Sequence, residues 1–199
     1  MTPPHITDLF CELAGITKDN SVFGNCCGID DFLISVMDKM VKLAKGNLQK
    51  IEHIKKQQLV GIEYQDNIFN FCCSNMILHE DGKTNIIKGD CFEKIDKAKE
   101  FKPTIGLLNS SYSTSINELK FLLNNLEALE KNGYMIAILS MICALYQKGE
   151  GYELKQKLLD LHTLEAALSM PDDLFYQIGT NICIMIFKAH QPHQEEYKT

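Results

Sequence analysis

Arginine is absent from this chain: its 20 basic residues are all lysines, against 26 acidic residues, and its net charge is −6. Proteins that read DNA bases commonly use the forked guanidinium group of arginine to bind guanine. We therefore expect that the chain does not select a DNA sequence by itself. Any such selection would come from another domain or subunit.

Long apolar runs are also missing. No segment reaches the roughly 20 apolar residues that a membrane-spanning helix needs. The first residues, 1–5, are neither basic nor apolar, unlike a secretory signal. We expect a cytoplasmic protein without a membrane partner. Its 199 residues, of which 45% are hydrophobic, are enough for one compact domain.

The eight cysteines lack the Cys-x-x-Cys spacing of a zinc site, although Cys26–Cys27 and Cys72–Cys73 are adjacent pairs. Thiols stay reduced in the cytoplasm. We therefore expect buried structural thiols and no metal. His190 and His193 fall in a polar stretch, 189–199, and we interpret it as an exposed C-terminal tail that follows a domain over residues 1–188.

Strand-like and helix-like segments alternate along the chain. Short apolar runs predict strands, and apolar stripes with helical spacing predict helices. The predicted strands are 21–24, 59–63, 84–87, 105–108, 134–139, 164–168 and 183–187, and the predicted helices are 31–45, 65–79, 116–129 and 152–161. Gly133 is expected to end the third helix. The alternation indicates an α/β fold with a seven-stranded, mostly parallel sheet, helices on both faces and a final hairpin at one edge.

Four of the predicted strand ends carry residues suited to ligand binding, because open α/β sheets bind ligands at the carboxyl ends of their strands. The residues are the turn Gly24–Asp30, Glu63, Asp90, and the tetrapeptide Asn109–Tyr112. Glycine lets a main chain approach a ligand closely. An acid can hold a ribose diol or accept a bond from an adenine amine. Each of these residues can also be interpreted without a ligand, as a turn residue, a helix cap or a surface acid.

The tetrapeptide Asn-Ser-Ser-Tyr is the most informative of the four. The Asn109 side chain and the Ser110 carbonyl can accept hydrogen bonds from an exocyclic amine, and the Tyr112 ring can stack on the base that carries it. Enzymes that modify a base within DNA first flip it into a pocket of this kind.

In this order, the four elements resemble the N-6 adenine DNA methylase domain, the modification subunit of type I restriction-modification systems. Asn109–Tyr112 resembles the Asn-Pro-Pro-Tyr motif of the family, residues 23–33 its glycine motif, and residues 59–63 the strand that ends in its ribose-binding acid. The likeness runs from Thr2-Pro3 to the late strands at 164–187. It implies a class I S-adenosylmethionine-dependent methyltransferase-like, or Rossmann-like, fold.

The resemblance also implies the sites. S-adenosylmethionine would lie over Thr2, Asn25, Gly28, Asp30, Glu63 and Asp90, while Asn109, Ser110 and Tyr112 would hold a flipped adenine. The implied activity is that of an adenine-specific DNA methyltransferase. The implied partners are double-stranded DNA, bound with help from other domains or a specificity subunit, and other restriction-modification subunits. Modification subunits of the family are longer, with a helical domain ahead of the position of Thr2.

Four positions depart from the family pattern. Gly24 stands where the family has an acid and Asp30 where it has a glycine, while Ser110 and Ser111 replace two prolines. Each proline contributes roughly 0.4–1 kcal/mol of preorganisation. A reacting group displaced by about 1 Å can lose on the order of 100-fold in rate. We therefore expect methyl transfer by the isolated chain to be weak or absent.

Two other functions are weighed against this one. The first is a non-catalytic, methyltransferase-like module that docks on restriction-modification subunits, which the four departures favour. The second is a nicotinamide-dinucleotide enzyme, which is disfavoured because the first turn lacks Gly-x-Gly-x-x-Gly. A basic stretch from Lys39 to Lys56 predicts either a solvated helix face or a patch that contacts phosphate.

Overall fold

Seven strands form a single sheet in the computed structural model, which describes residues 4–28, 31–79, 85–109, 114–171 and 181–194. The strands are β1 (Val22–Gly24), β2 (Leu59–Glu63), β3 (Ile86–Lys88), β4 (Ile105–Asn109), β5 (Tyr134–Ser140), β6 (Thr163–Ser169) and β7 (Ile182–Lys188). Their order is β3-β2-β1-β4-β5-β7-β6. The first five strands pair in parallel, and β7 is antiparallel to both β5 and β6. The predicted mostly parallel sheet with a hairpin at one edge is confirmed.

Eight helices occur in the described part of the chain. They are α1 (Pro4–Leu13), α2 (Asp31–Leu43), α3 (Leu48–Gln57), α4 (Asp66–Leu78), α5 (Cys91–Lys99), α6 (Ser115–Ala128), α7 (Ile142–Leu145) and α8 (Gly149–Leu161). The sequence predicted α2, α4, α6 and α8 but not the other four. α3 buries only Ile54 and is otherwise rich in lysine, so it has no apolar stripe. α5 buries Cys91, Ile95 and Ala98, of which only one is a large apolar residue.

The end of α6 differs from the prediction. The helix ends at Ala128, and Leu129 already has an extended backbone, with φ −73° and ψ 149°. Gly133 lies just before β5, where a Cβ would come within 2.9 Å of the Thr104 carbonyl oxygen. The glycine therefore permits a close approach of two main-chain segments and does not end the helix.

Helices cover both faces of the sheet, as predicted, and β5 shows how the core is divided. Its residues Ile136 and Ile138 pack in one cluster with α1 and α2, while Met135 and Leu139 pack in another with α6 and α8. Successive residues of a strand point to opposite faces. All of these side chains are buried. The apolar run of β5 therefore belongs to a strand that is covered on both sides.

The basic stretch lies away from the carboxyl ends of the strands, because α3 leads into the amino end of β2. Three of its lysines already have acidic partners. The pairs are Lys39–Glu12, Lys50–Asp19 and Lys56–Glu52. These contacts favour the solvated helix face over a phosphate-contacting patch. Within the described residues, no helix is both long and apolar enough to cross a membrane.

Residues 189–194, the described part of the predicted tail, lie against the domain. Ala189 is fully buried, and its N–H donates to the Gly133 carbonyl at 2.8 Å. The His190 N–H donates to Nδ1 of buried His162 at 3.0 Å. The His190 side chain is exposed, as expected, whereas His193 is half-buried and its N–H donates to the Leu159 carbonyl of α8 at 2.8 Å, so the expected exposure of His193 is wrong. The position of the domain boundary stays a prediction.

His162 makes the stability of the fold depend on pH. Burial, with a smaller contribution from His190, lowers the pKa of His162 from 6.5 to about 4. Because the pKa is depressed in the folded state, folding favours the neutral ring. The associated stability is present above about pH 6.5 and is lost as the pH falls through about 4.

We expect the free energy of unfolding to fall by at most roughly 3 kcal/mol as the pH is lowered from about 6.5 to about 4. Urea unfolding at about pH 7 and about pH 4.5 measures it. The variant His162→Asn keeps an acceptor for the His190 N–H but cannot titrate, so it should lose less stability. An equal loss in parent and variant would contradict the assignment.

Candidate functional site

The turn after β1 lies between the ends of two neighbouring strands. β1 pairs with β2 on one side and with β4 on the other, so Gly24, Glu63 and Asn109 end strands along the same edge of the sheet. Parallel strands bring their carboxyl ends together in this way. Residues separated widely in sequence therefore share one region of the fold.

Glu63 is the centre of this region. The residue is buried, with 8% of its surface exposed, and its Oε2 accepts a hydrogen bond from the Gly28 N–H at 3.1 Å. Its Oε1 accepts one from the Gln65 N–H at 2.8 Å. A carboxylate has about four acceptor positions. Glu63 can thus hold the turn and still accept hydrogen bonds from the hydroxyl groups of a ligand.

The main chain at Gly28 has φ +62°, a conformation that favours glycine. Apart from its chain neighbours, no described residue has an atom within 4 Å of the position that an added Cβ would take. The Cys27 N–H donates to the Ile62 carbonyl at 3.2 Å and ties the turn to β2. Together these contacts form a main-chain surface that a ligand can approach beside a carboxylate.

Asp90 is brought to the same region by the end of β3. The Gly89 N–H donates to the Glu63 carbonyl at 3.0 Å, which joins the two strand ends. Asp90 caps α5, where its Oδ1 accepts from the Phe92 N–H at 2.9 Å. Capping uses one carboxylate oxygen, so the helix-cap reading and the adenine-binding prediction are compatible.

The Asn25 side chain points into the core, unlike the carboxylates of the other described cofactor residues. Its side chain is buried, and its Nδ2 donates to the Phe121 carbonyl at 2.7 Å and to Asn124 Oδ1 at 3.0 Å. Its Oδ1 accepts from Asn125 Nδ2 at 3.0 Å. The side chain therefore ties the turn after β1 to α6, and a contact with a cofactor would fall to its main chain.

Sequence reasoning missed the partners of Asn25. Asn125 also donates from Nδ2 to the Leu107 carbonyl of β4 at 3.2 Å, so the cluster joins β1, β4 and α6. A Cβ at Gly106 would lie 2.3 Å from Asn125 Oδ1, which means that the glycine makes room for the amide. The adjacent Asn124 and Asn125 interrupt an apolar helix stripe, and that interruption is the signal in the sequence.

Glu118 is the second residue that sequence reasoning missed. It lies in the first turn of α6 with only 1% of its surface exposed. Its Oε2 accepts from the Ser140 N–H at 2.6 Å. Burial raises the pKa of this carboxyl above its usual range, and the bond from Ser140 opposes the rise. A single acid beside a helix stripe gives no sign of such burial.

Asn109 is the last residue of β4 and is half-buried, opposite Ile138 of β5. Four other predicted site residues, Thr2, Asp30, Ser110 and Tyr112, lie outside the described residues. Their roles stay predictions. The structure therefore brings together Gly28, Glu63, Asp90 and Asn109, and gives Asn25 a buried place beside them.

Several of the cysteine thiols have a raised pKa and stay protonated. Burial raises the pKa of Cys11 and of Cys183 to about 11. A hydrogen bond with Cys91, together with burial, raises the pKa of Cys26. Protonated, buried thiols are poor nucleophiles and metal ligands. Across the described ranges, no three His, Cys, Asp or Glu side chains are grouped so that they could hold a metal ion.

Known proteins resemble the chain over nearly its whole length. The model of the N-6 DNA methylase family matches residues 1–115 and 95–198. The type II restriction enzyme and methyltransferase RM.BcgI of Heyndrickxia coagulans is 35% identical over 98% of the chain. The chain spans 32% of that protein, or about a third of its length.

Solved structures resemble its fold. The M protein of the type I restriction enzyme EcoKI superposes with a TM-score of 0.79 and 18% identity, over 95% of this chain and 44% of that one. A protein from Listeria monocytogenes, described as a class I S-adenosylmethionine-dependent methyltransferase, superposes with a TM-score of 0.66 and 12% identity, over 100% and 62% of the two chains. The fold is thus that of the class I methyltransferases.

The buried asparagine cluster generates a prediction about stability. Replacing Asn25 with alanine leaves buried groups of Phe121, Asn124 and Asn125 without their partner, and each such group costs about 1–3 kcal/mol. We expect Asn25→Ala to lower the free energy of unfolding by at least roughly 3 kcal/mol in urea titrations.

Asn117→Ala is the matched control, because Asn117 is exposed on the same helix. It should change stability by no more than about 0.5 kcal/mol. If the two variants unfolded at the same urea concentration, the cluster would not have the structural role given to it.

Proposed function

The chain belongs to the N-6 DNA methylase family, and from this premise we propose that it is the catalytic domain of an adenine-specific DNA methyltransferase of a restriction-modification system. The observation that carries the proposal is the contact of the Glu63 carboxylate with the Gly28 N–H, at the edge where β4 presents Asn109. This edge is where an open α/β sheet binds its ligands.

The adenosine half of S-adenosylmethionine fits the described residues. Glu63 has acceptor capacity for the two ribose hydroxyls, and Asp90 has a second carboxylate oxygen for the adenine amine. No described residue occupies the Cβ position of Gly28, so the described part of the site would allow a close approach to its main chain. When bound, S-adenosylmethionine supplies an electrophilic methyl group on a positively charged sulfur. These residues would hold and orient it.

The methionine half has less support in the described residues. Gly24 offers no carboxylate to the amino group, and Thr2 and Asp30 lie outside the described ranges. A Cβ at Gly24 would make only ordinary contacts, at 3.7 Å from Cys27 Cβ and 3.8 Å from the Leu107 carbonyl. The fold therefore has room for the first atom of an acidic side chain there, and packing does not require a glycine.

The proposed chemistry at the substrate depends on acceptors from this chain. The Asn109 side-chain oxygen and the Ser110 carbonyl would accept the two N–H groups of the adenine amine, which increases electron density on its nitrogen. Tyr112 would stack on the flipped base. As the methyl group leaves the sulfur, which would become a neutral thioether, the methylated amine would lose one proton to water. Orientation is therefore the main contribution of these residues.

DNA would be an efficient substrate only in an assembly. The chain has no arginine for bidentate contacts with guanine. The three lysine–acid pairs of the basic stretch further reduce its attraction for phosphate. We propose that other domains or a specificity subunit supply the DNA contacts, and that the partners are restriction-modification subunits. These partners imply a cytoplasmic location.

A second candidate function is a non-catalytic module that retains the fold. The observation in its favour is Gly24, since the carboxylate is missing although packing leaves room for a side chain to begin. In this case the chain would dock on other restriction-modification subunits without transferring methyl groups. Cofactor binding separates the two candidates directly.

Isothermal calorimetry with S-adenosylmethionine and S-adenosylhomocysteine tests the cofactor site. We expect micromolar binding by the parent chain. Glu63→Gln should weaken it by about 10- to 100-fold, since hydrogen bonds to a charged acceptor contribute about 1.5–3 kcal/mol. Glu165→Gln, an exposed change on β6, should have no effect. No heat at about millimolar ligand would contradict use of the cofactor and favour the non-catalytic module.

Transfer of labelled methyl groups to duplex DNA tests catalysis. We expect little transfer by the parent chain. Restoring both prolines, Ser110→Pro with Ser111→Pro, should raise the rate by about 10- to 100-fold because the segment loses fewer conformations on ordering.

The matched control adds Asn109→Ala to the proline variant and should return the rate to background, because it removes the amine acceptor. Two results would contradict the expectation. One is rapid methylation by the parent chain, and the other is an equal rate with and without the prolines.

A further inference from the structure

The turn after β1 carries two adjacent thiols, and each lies beside a thiol of a neighbouring helix. Cys27 Sγ is 3.8 Å from Cys72 Sγ of α4. Cys26 is hydrogen-bonded to Cys91, the first residue of α5. The two pairs lie on opposite faces of the sheet, because Cys27 packs in the cluster of α1 and α2 and Cys26 packs in the cluster of α6 and α8. Two separate dithiols therefore flank the proposed cofactor turn.

The pair of Cys27 and Cys72 is the better placed for oxidation. A hydrogen bond with Cys91, together with burial, raises the pKa of Cys26, so this thiol yields little of the nucleophilic thiolate. Cys27 is half-buried, so a small oxidant can reach its sulfur, whereas Cys72 is fully buried. An accessible thiol beside a second, resolving thiol is the arrangement found in redox-sensing proteins.

α4 can move toward the turn with little loss of packing. A disulfide holds its sulfurs about 2.05 Å apart, so the two sulfurs must first approach each other. α4 buries only Cys72 and Met76 of its 13 residues, whereas α2, of the same length, buries four. The Cys27 sulfur lies over β2, 3.0 Å from the position that a Cβ of Gly61 would take. Because β2 is a buried strand of the sheet, the movement falls to α4 and to the turn.

Glu63 lies between the two elements that this disulfide would join. Its Oε2 accepts from the N–H of Gly28, the residue after Cys27, at 3.1 Å. Its Oε1 accepts from the N–H of Gln65, the N-cap residue of α4, at 2.8 Å. A displacement of about 0.5 Å is enough to take a bond of 3.1 Å out of hydrogen-bonding range. Drawing α4 and the turn together therefore disturbs the bonds that orient the carboxylate.

We propose that Cys27 and Cys72 form a redox-sensitive modification site, which a peroxide converts into a disulfide that displaces the hydrogen-bond donors of Glu63 and weakens binding of S-adenosylmethionine. The effect on the cofactor rests on the proposed function. Formation of the disulfide does not. Disulfides that form in a reducing compartment are commonly transient and redox-sensing, which agrees with a reversible change.

The reaction with hydrogen peroxide balances in two steps. The Cys27 sulfur loses its proton to water and attacks one peroxide oxygen; the O–O bond breaks, hydroxide leaves and takes up a proton, and Cys27 becomes a sulfenic acid. The Cys72 sulfur then attacks the Cys27 sulfur, the S–O bond breaks, and water leaves with the thiol proton. Two thiols are oxidised to one disulfide while one peroxide is reduced to two waters. A small thiol reverses the change by exchange.

Peptide mapping by mass spectrometry tests the site. The reduced parent chain is treated with hydrogen peroxide and alkylated, and fragmentation assigns each linkage. We expect a cross-link between Cys27 and Cys72 that dithiothreitol removes, while Cys26 and Cys91 stay reduced. Cys73→Ser is the matched control, because Cys73 is the neighbouring half-buried thiol, and this variant should keep the cross-link. A chain in which Cys27 and Cys72 stay unlinked, or link no faster than Cys26 and Cys91, overturns the proposal.

Calorimetry with S-adenosylmethionine tests the effect on the cofactor. Oxidation should weaken binding by the parent chain by about 10-fold, which corresponds to the loss of roughly one hydrogen bond of the carboxylate. Dithiothreitol should restore the affinity. In Cys27→Ser, which cannot form the cross-link, peroxide should leave the affinity as it was before treatment. By linkage, saturating S-adenosylmethionine should raise the reduction potential of the dithiol by about 30 mV for a tenfold effect.

A readout without the cofactor separates this proposal from the proposed function. If the reduced parent chain gives no heat with S-adenosylmethionine, the proposed function fails, and peptide mapping still decides whether the disulfide forms. Hydrogen exchange of the peptide covering 59–66 should then become about 3-fold faster on oxidation in the parent chain and not in Cys27→Ser, because the Gln65 N–H loses its acceptor. Equal exchange before and after cross-linking would show that the disulfide does not act on Glu63.

Discussion

β1 has only three residues, yet it pairs in parallel with β2 on one side and with β4 on the other. Val22, Phe23 and Gly24 are all buried, so this central strand is covered on both faces. The double pairing also determines that the turn carrying Gly28 emerges between Glu63 and Asn109. Without that register, the proposed cofactor residues and the amine acceptor would not share one edge of the sheet.

Polar groups in the core maintain this arrangement around the turn. Asn25 and Asn125 connect β1, β4 and α6, and Gly106 leaves the space in which the Asn125 amide lies. The Asn125 Nδ2 makes both of these connecting bonds, whereas its buried Oδ1 has no hydrogen-bond partner among the described residues, which is a cost of this arrangement. The turn after β1 is consequently held from two directions, by Asn25 toward α6 and by the Glu63 carboxylate toward β2.

The sequence predicted the elements whose pattern is strong and missed those whose pattern is weak. β2 was predicted at its observed bounds from a short, largely apolar run, and all five of its residues are buried. α2 was predicted because Leu33, Val36, Met37 and Met40 form one apolar stripe. α3 was missed because one buried isoleucine makes no pattern.

At the candidate site, a motif position indicated the path of the main chain but not the direction of a side chain. Asn25 occupies a cofactor position in the glycine motif, whereas its amide bonds to α6. Glu118 reads as a solvent-exposed helical acid, and only the packing of β5 and α7 around it reveals its burial.

The distribution of buried polar groups bears on the two candidate functions, which cofactor binding would separate. A module that only docks needs an appropriate surface, and an apolar residue at position 118 would avoid the cost of burying a carboxyl. Here the buried amides join the turn that carries Gly28 and the strand that carries Asn109, and the buried acid joins α6 to β5, the strand beside Asn109. We infer that these side chains serve the geometry of the edge, which is what an enzyme that works by orientation requires.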